Sequence, residues 1–215
     1  GSAQIIGSHL EDREKIRTRV DRIEKVVEQG AGIVRAMLGL GRIEEQTLVV
    51  CNLQDLLVET VRLLGDHRLP PEVHIRVELQ DPPPIAACAR EVLQQMLLNL
   101  ILNGVDSLPG HGEVVLQVGL QELLPESIVL KPNLGARYAV IEVRDNGGGI
   151  SPEVLPRIFE PFFTTKDFST RRGTGLGLSM VYELAKSLGF GLAVRSMIGR
   201  GSTFVILVPC ENVSR

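Results

Sequence analysis

Cysteine is scarce in this chain of 215 residues, positive charge is not in surplus, and no long apolar run occurs. The three cysteines, Cys51, Cys88 and Cys210, are far apart and odd in number. They form neither a metal-binding spacing nor a disulfide framework, which points to a reducing, cytoplasmic compartment. The histidines, His9, His67, His74 and His111, are equally scattered, so the pattern offers no metal cluster. A net charge of −3 argues against nucleic acid as the main partner, because phosphate backbones want a basic face. No apolar stretch approaches the ~18 residues that a membrane span needs, and no signal-peptide pattern is present. Internal repeats and low-complexity tracts are missing too. What remains is an ordinary globular composition, 44% apolar, with enough length for one domain and a smaller element.

Residues 9–45 are charged and helical in pattern. Ile16, Val20, Ile23, Val27, Gly30, Val34, Met37 and Gly41 step by four and three alternately, as a heptad seam does. Val26, Ile33 and Leu40 widen it, as in a bundle. The seam reads as half of a dimerising helical hairpin, since a helix this long outreaches a small domain; the plainer reading is a helix packed on its own domain. The boundary falls between 1–45 and 46–215. Beyond it, Asn52 is placed to cap a helix running to about Leu64. Strands are expected at 73–79, 113–120 and 136–145, helices at 89–108 and 178–188, and two closing strands around "IGRG". "DPPPIAA" reads as a proline-rich connection, and "QELLPESIVLKPNLG" as a long loop or hairpin extension. Helices do not alternate one per strand, so a doubly wound sheet is excluded. The order suits a two-layer α/β sandwich: about five strands, mixed, three helices on one face, each strand with one buried side.

Four stretches carry chemistry. "MLLNLILNGVDSL" (96–108) is an apolar helix with Asn99, Asn103 and Asp106 one turn apart, although asparagine is a poor helix former and a buried amide without partners costs roughly 1–3 kcal/mol. In "YAVIEVRDNGGGI" (138–150), Asp145 continues the apolar face of Ala139, Ile141 and Val143, so its carboxylate points inward. Gly147, Gly148 and Gly149 then let the backbone turn and lie close to a ligand. In "IFEPFFTTKDFSTRRGTGLGLS" (158–179), Phe159, Phe162 and Phe163 precede the cations Lys166, Arg171 and Arg172, and a glycine run opens a helix. A glycine-lined helix N-terminus with nearby cations suits phosphate. The spacing is neither a Walker loop nor a dinucleotide fingerprint. "GRGSTF" (199–204) is a tight turn into a strand. Taken singly, each has a bland alternative: a turn, a flexible loop, a hairpin.

The ordered set resembles the GHKL ATPase superfamily, and within it the catalytic domain of sensor histidine kinases. "NLILN" is similar to the N box, "DNGGGI" to the first glycine box, "FEPFFTT" to the F box, "GTGLGLS" to the second glycine box, and "GRGSTF" to the final glycine turn. The resemblance covers about residues 46–209. The F box wording is similar to that of nitrogen-regulation-type kinases, not to chaperone, mismatch-repair or topoisomerase members. It implies Mg²⁺ and ATP as cofactors: Asn103 on the metal, Asn99 by the phosphates, and Asp145 accepting from the adenine amine. Gly147 and Gly149 would admit the base. Residues 151–174 would form a lid anchored by Phe159, Phe162 and Phe163. Lys166, Arg171 and Arg172 would touch phosphate. Gly173, Thr174, Gly175, Leu176, Gly177 and Leu178 would set a helix N-terminus at the phosphates, and Thr203 would lie near Asp145. Asp106 is assigned a structural role. Gly104 stands where the family commonly has alanine, at a helix cost of about 0.8–1 kcal/mol.

The N-terminal helix resembles the second helix of a dimerisation and histidine-phosphotransfer hairpin. His9 is followed by Leu-Glu-Asp-Arg and does not match the phosphoacceptor motif, so the acceptor is expected upstream of residue 1. The implied function is Mg·ATP binding and γ-phosphoryl transfer to that histidine, for relay to a response-regulator receiver domain, by a homodimer in the cytoplasm. Attachment of a longer parent protein to the inner membrane is compatible with this. Two rivals stay open: a hydrolytic ATPase or anti-sigma-type serine kinase of the same superfamily, and a non-catalytic ATP-binding or dimerisation module. A hydrolytic enzyme would favour glutamate at position 99, where this chain has asparagine.

Overall fold

The structure is a computed structural model and describes residues 48–65, 69–165 and 175–210. The predicted helix and seam over 9–45 lie outside the described residues. Eight strands and three α-helices follow in the order β1 (Val49–Asn52), α1 (Leu53–Leu64), β2 (Glu72–Glu78), β3 (Ile85–Cys88), α2 (Arg90–Ser107), β4 (His111–Gln121), β5 (Ile128–Leu130), β6 (Arg137–Asp145), α3 (Gly177–Ser187), β7 (Gly191–Met197) and β8 (Gly201–Cys210). A 3₁₀ turn spans Leu155–Arg157.

The sheet has six strands in the order β2-β4-β6-β8-β7-β5. β2 pairs parallel with β4 and the other neighbours are antiparallel, so the sheet is mixed as expected. Two details go beyond the expected five strands. The proline-rich stretch ends in β3, which pairs antiparallel with β1 as a separate two-stranded sheet. The long stretch between β4 and β6 leaves its neighbours, adds β5 beside β7 at the far edge, and returns. The three added strands, β1, β3 and β5, are three or four residues long, too short to show a period-2 pattern.

Asn52 caps α1, its side-chain oxygen accepting from the amides of Gln54 at 3.0 Å and Asp55 at 3.4 Å. Three helices bury the inner face. Leu93, Met96, Leu97, Leu100 and Ile101 of α2 are fully buried, and Gly104 continues that row. They meet Leu116 of β4, Ile141 of β6 and Ile206 of β8 in one continuous core. The expectation of one buried side per strand is corrected. On the other face, Tyr138, Val140, Ala193, Val205 and Leu207 are buried around Ile128 of β5. The excursion that carries β5 provides part of this cover. Its Asn133 amide bonds the Gly189 carbonyl at 2.8 Å, and Tyr138 Oη accepts from Gly135 N–H at 3.3 Å. Central strand β8 is therefore apolar at nearly every position, as a strand covered on both sides must be.

The two-stranded sheet buries Cys51 and Cys88 against the inner core. Burial, reinforced by the neighbouring Cys51 thiol, pushes the Cys88 thiol up to about 12. Burial also raises Cys210, at the end of β8.

Candidate functional site

The inner face of β6 ends at Asp145, which is 4% exposed. Strand alternation puts it there: Ala139, Ile141 and Val143 precede it on the same face. Its Oδ1 accepts from Gly147 N–H and from Ser107 Oγ–H, each at 2.9 Å. The turn that follows is packed against the end of α2. A Cβ on Gly147 would stand 2.3 Å from Ser107 Oγ and 2.7 Å from the Ser107 carbonyl oxygen, so only glycine fits. Gly149 has φ +71°, and a Cβ there would strike the Met197 carbonyl oxygen at 2.1 Å. The turn is also held from β7: Ile150 N–H donates to Ser196 Oγ at 2.8 Å, and Gly199 N–H to the Gly148 carbonyl at 2.8 Å.

On α2 the amides of Asn99 and Asn103 are half-buried beside the apolar row. Asn99 Nδ2 donates to the thioether of Met180 in α3 at 3.5 Å. Its Oδ1 would be 3.9 Å from a Cβ on Gly177, so it looks onto the first residue of α3. The side chain of Asn103 takes no hydrogen bond from the described residues. α3 has no side-chain cap at its N-terminus. Leu176 supplies carbonyl bonds to Met180 N–H and Ser179 Oγ–H, both at 3.0 Å, but nothing that satisfies the amides of the first turn. Those donors and the positive end of the helix dipole favour an anion. Leu178 packs against the core and steadies that end.

Gly175 has φ +68°, and a Cβ there would come within 2.4 Å of the Phe162 backbone. The Phe162 amide donates to the Gly175 carbonyl at 2.9 Å, which joins the end of the phenylalanine segment to the approach of α3. Phe159 packs on Tyr182 of α3, ring centroids 5.6 Å apart. Phe163 lies under the Arg157 guanidinium, 4.4 Å from ring centre to Cζ. Phe162 is not an anchor: its φ is +65°, and its side chain is 68% exposed. Lys166, Arg171, Arg172, Gly173 and Thr174 lie outside the described residues.

Thr203 is placed differently from the expectation. It pairs with Arg144 of β6 and Arg195 of β7, and cross-strand partners share a face. Arg144 alternates with Asp145, so Thr203 sits on the outer face. Ser202 occupies the inner one: it is buried, pairs with Ser196, and its Oγ is 2.9 Å from Ser196 Oγ. The alternation of Ser202, Phe204 and Ile206 carried this signal. Ser107 was likewise missed, though it stands four residues after Asn103 and extends the stripe that Asn99 begins. Asp106, one residue earlier, is exposed.

Among the described residues no group of three His, Cys, Asp or Glu side chains could hold a metal by itself. Asn103 offers an amide oxygen without a partner among the described residues, which fits a hard cation bound mainly through phosphates and water. The arrangement therefore has a buried acceptor beside a glycine turn at one end, and at the other amides facing an uncapped helix N-terminus.

A family model described as Histidine kinase-, DNA gyrase B-, and HSP90-like ATPase matches residues 88–212. The chain is 33% identical over 192 residues to Sensor kinase CckA of Brucella abortus, covering 87% of this chain and 20% of that protein. It is 31% identical over 195 residues to Sensor histidine kinase ZraS of Escherichia coli K12, covering 91% of this chain and 36% of that one. The chain thus spans a fifth to rather more than a third of these curated relatives. Full-length ShkA in complex with AMPPNP superposes with a TM-score of 0.72 at 23% identity, over 95% of this chain and 40% of that one. The Acinetobacter baumannii histidine kinase AdeS gives 0.72 at 15%, over 98% and 96%. At these identities the two structures speak for the fold.

Proposed function

Since this chain belongs to the family of histidine kinase-, DNA gyrase B- and HSP90-like ATPases, we propose that its residues 46–215 bind Mg·ATP and pass the γ-phosphoryl to a histidine in a two-component relay. The observation that carries this reading is the pairing of the two ends of the site. Asp145 presents a buried acceptor beside Gly147, where a purine amine can dock. Asn99 faces the uncapped start of α3, where phosphates can dock.

Asn103 would hold Mg²⁺ through its amide oxygen, with the α3 amides on the phosphate oxygens. Bound there, the metal neutralises charge on the transferring phosphoryl group. The protein's share is positioning and exclusion of water, with no covalent step of its own. Asn99 is an amide and cannot take a proton from water, which favours transfer over hydrolysis. Lys166, Arg171 and Arg172 are proposed phosphate contacts, and Phe159 and Phe163 supports for the segment before them. The relay partners are proposed to be a response-regulator receiver domain and a second copy joined through residues 1–45. No helix among the described residues is long and apolar enough to cross a membrane.

Titration calorimetry with Mg·ATP on Asn103→Ala and Asp145→Asn tests the site: each is expected to weaken binding at least about tenfold, a loss of roughly 1.4 kcal/mol. Unchanged affinity in both would sink the assignment. Incubation with γ-labelled ATP is expected to leave this chain unlabelled, because His9 does not stand in an acceptor motif.

A further inference from the structure

The fold treats the two oxygens of Asp145 differently. Oδ1 takes both of its donors, Gly147 N–H and Ser107 Oγ–H. Oδ2 takes none from the described residues. Ser107 is itself fixed. Its one hydroxyl proton is shared between the Gly104 carbonyl one turn back, at 2.7 Å, and Asp145 Oδ1, and its own carbonyl accepts from Gly148 N–H at 3.3 Å. Where α2 meets the sheet, a Cβ on Gly104 would stand 3.2 Å from Val114 Cγ2, which would have to give by a few tenths of an ångström, and 3.6 Å from Asp145 Cβ, an ordinary contact.

We propose that Ser107 is a positioning residue for nucleobase selection: with the Gly147 amide it occupies Oδ1 and leaves Oδ2 as the one acceptor, for a 6-aminopurine and against a 6-oxopurine. This rests on the reading of Asp145 as the group that meets the base. An ionised carboxylate only accepts hydrogen bonds. A 6-amino group supplies a donor to Oδ2, whereas a 6-oxo group sets two acceptors against each other in a buried place. The terminal torsion of an aspartate is soft, so one donor alone holds the carboxylate plane poorly. Ser107 supplies the second.

The test compares dissociation constants for Mg·ATP and Mg·ITP on the whole chain. Ser107→Ala is expected to weaken ATP roughly five- to twentyfold and ITP less than about twofold, so the ATP preference shrinks. Ser107→Thr keeps the hydroxyl and restores the preference. Ser107→Cys, near serine in volume but a weak donor, is expected to follow alanine. Equal weakening of both nucleotides, or no change in either, overturns the proposal. Asp145→Asn separates the two levels. If it collapses the preference and Ser107→Ala does not, only the role of Ser107 fails. If it leaves the preference intact, the base-reading assignment fails and the role of Ser107 with it.

Discussion

The two faces of the six-stranded sheet are both partly dry, yet they are built for different ends. The inner face lies under three helices and carries a continuous core ending at Asp145 and Ser202. Among the described residues the outer face holds a small cluster of Tyr138, Val140, Ala193, Val205 and Leu207 around Ile128, with Val115 buried apart from it, and turns polar at Arg144, Arg195 and Thr203. Helices bring their own hydrogen-bonded backbone and a wide apolar stripe, so they can cover a sheet broadly and still leave room for a pocket at one end. A loop excursion covers little, because its backbone polar groups need partners of their own. The larger core and the candidate site thus lie on one side of the same strands.

This contrast can be broken by experiment. Leu100→Ala, behind the helices, is expected to lower stability by about 2–5 kcal/mol in urea unfolding, and Val205→Ala on the outer face by about 1 kcal/mol. Equal losses would mean that the outer cluster is a full second core. Next in size is the Ser202 and Thr203 pair. Ser202→Ala is expected to weaken Mg·ATP several-fold through the turn it helps hold, and Thr203→Ala by less than about twofold; calorimetry reads both. The reverse order would overturn the register argument.

Smaller effects test the close contact of α2 with the sheet. Gly104→Ala gains helix propensity but presses on Val114. A double-mutant cycle with Val114→Ala is expected to show about 0.5–1 kcal/mol of coupling, the alanine being better tolerated once Val114 is trimmed. An effect of similar size concerns pH. Burial holds the Cys88 thiol at about 12 in the folded chain, above its ordinary value near 9. Its contribution is therefore complete below about pH 9 and lost as pH climbs toward 12. Wild type should lose about 1 kcal/mol near pH 10 that Cys88→Ala does not lose, read from urea midpoints at each pH.

What was legible in the sequence follows from length and period. α2 and β6 are long and strongly patterned, and the observed ends differ from the expected ones by a residue at most. β3 and β5 escaped notice because three or four residues carry no period, and their place depends on partners distant in the chain. At the site, the helix face shared by Asn99 and Asn103 and the inward direction of Asp145 were readable from helix and strand geometry, whereas the approach of Asn99 to α3 was not. Thr203 was misplaced because a motif was followed where alternation of Ser202, Phe204 and Ile206 would have decided. Ser107 was passed over because the contact that singles it out is with the Asp145 carboxylate, 38 positions further along the chain.

The bond from Asn99 to the Met180 sulfur has a kinetic consequence. A thioether is a weak acceptor, strong enough to choose a rotamer and weak enough to be given up at little cost. Asn103, one turn on, has no such bond to break among the described residues. On the proposed reading, a nucleotide arriving at α2 would break one soft contact there; its capture would then be set by encounter and orientation, and differences in affinity among ligands should show in how slowly they leave.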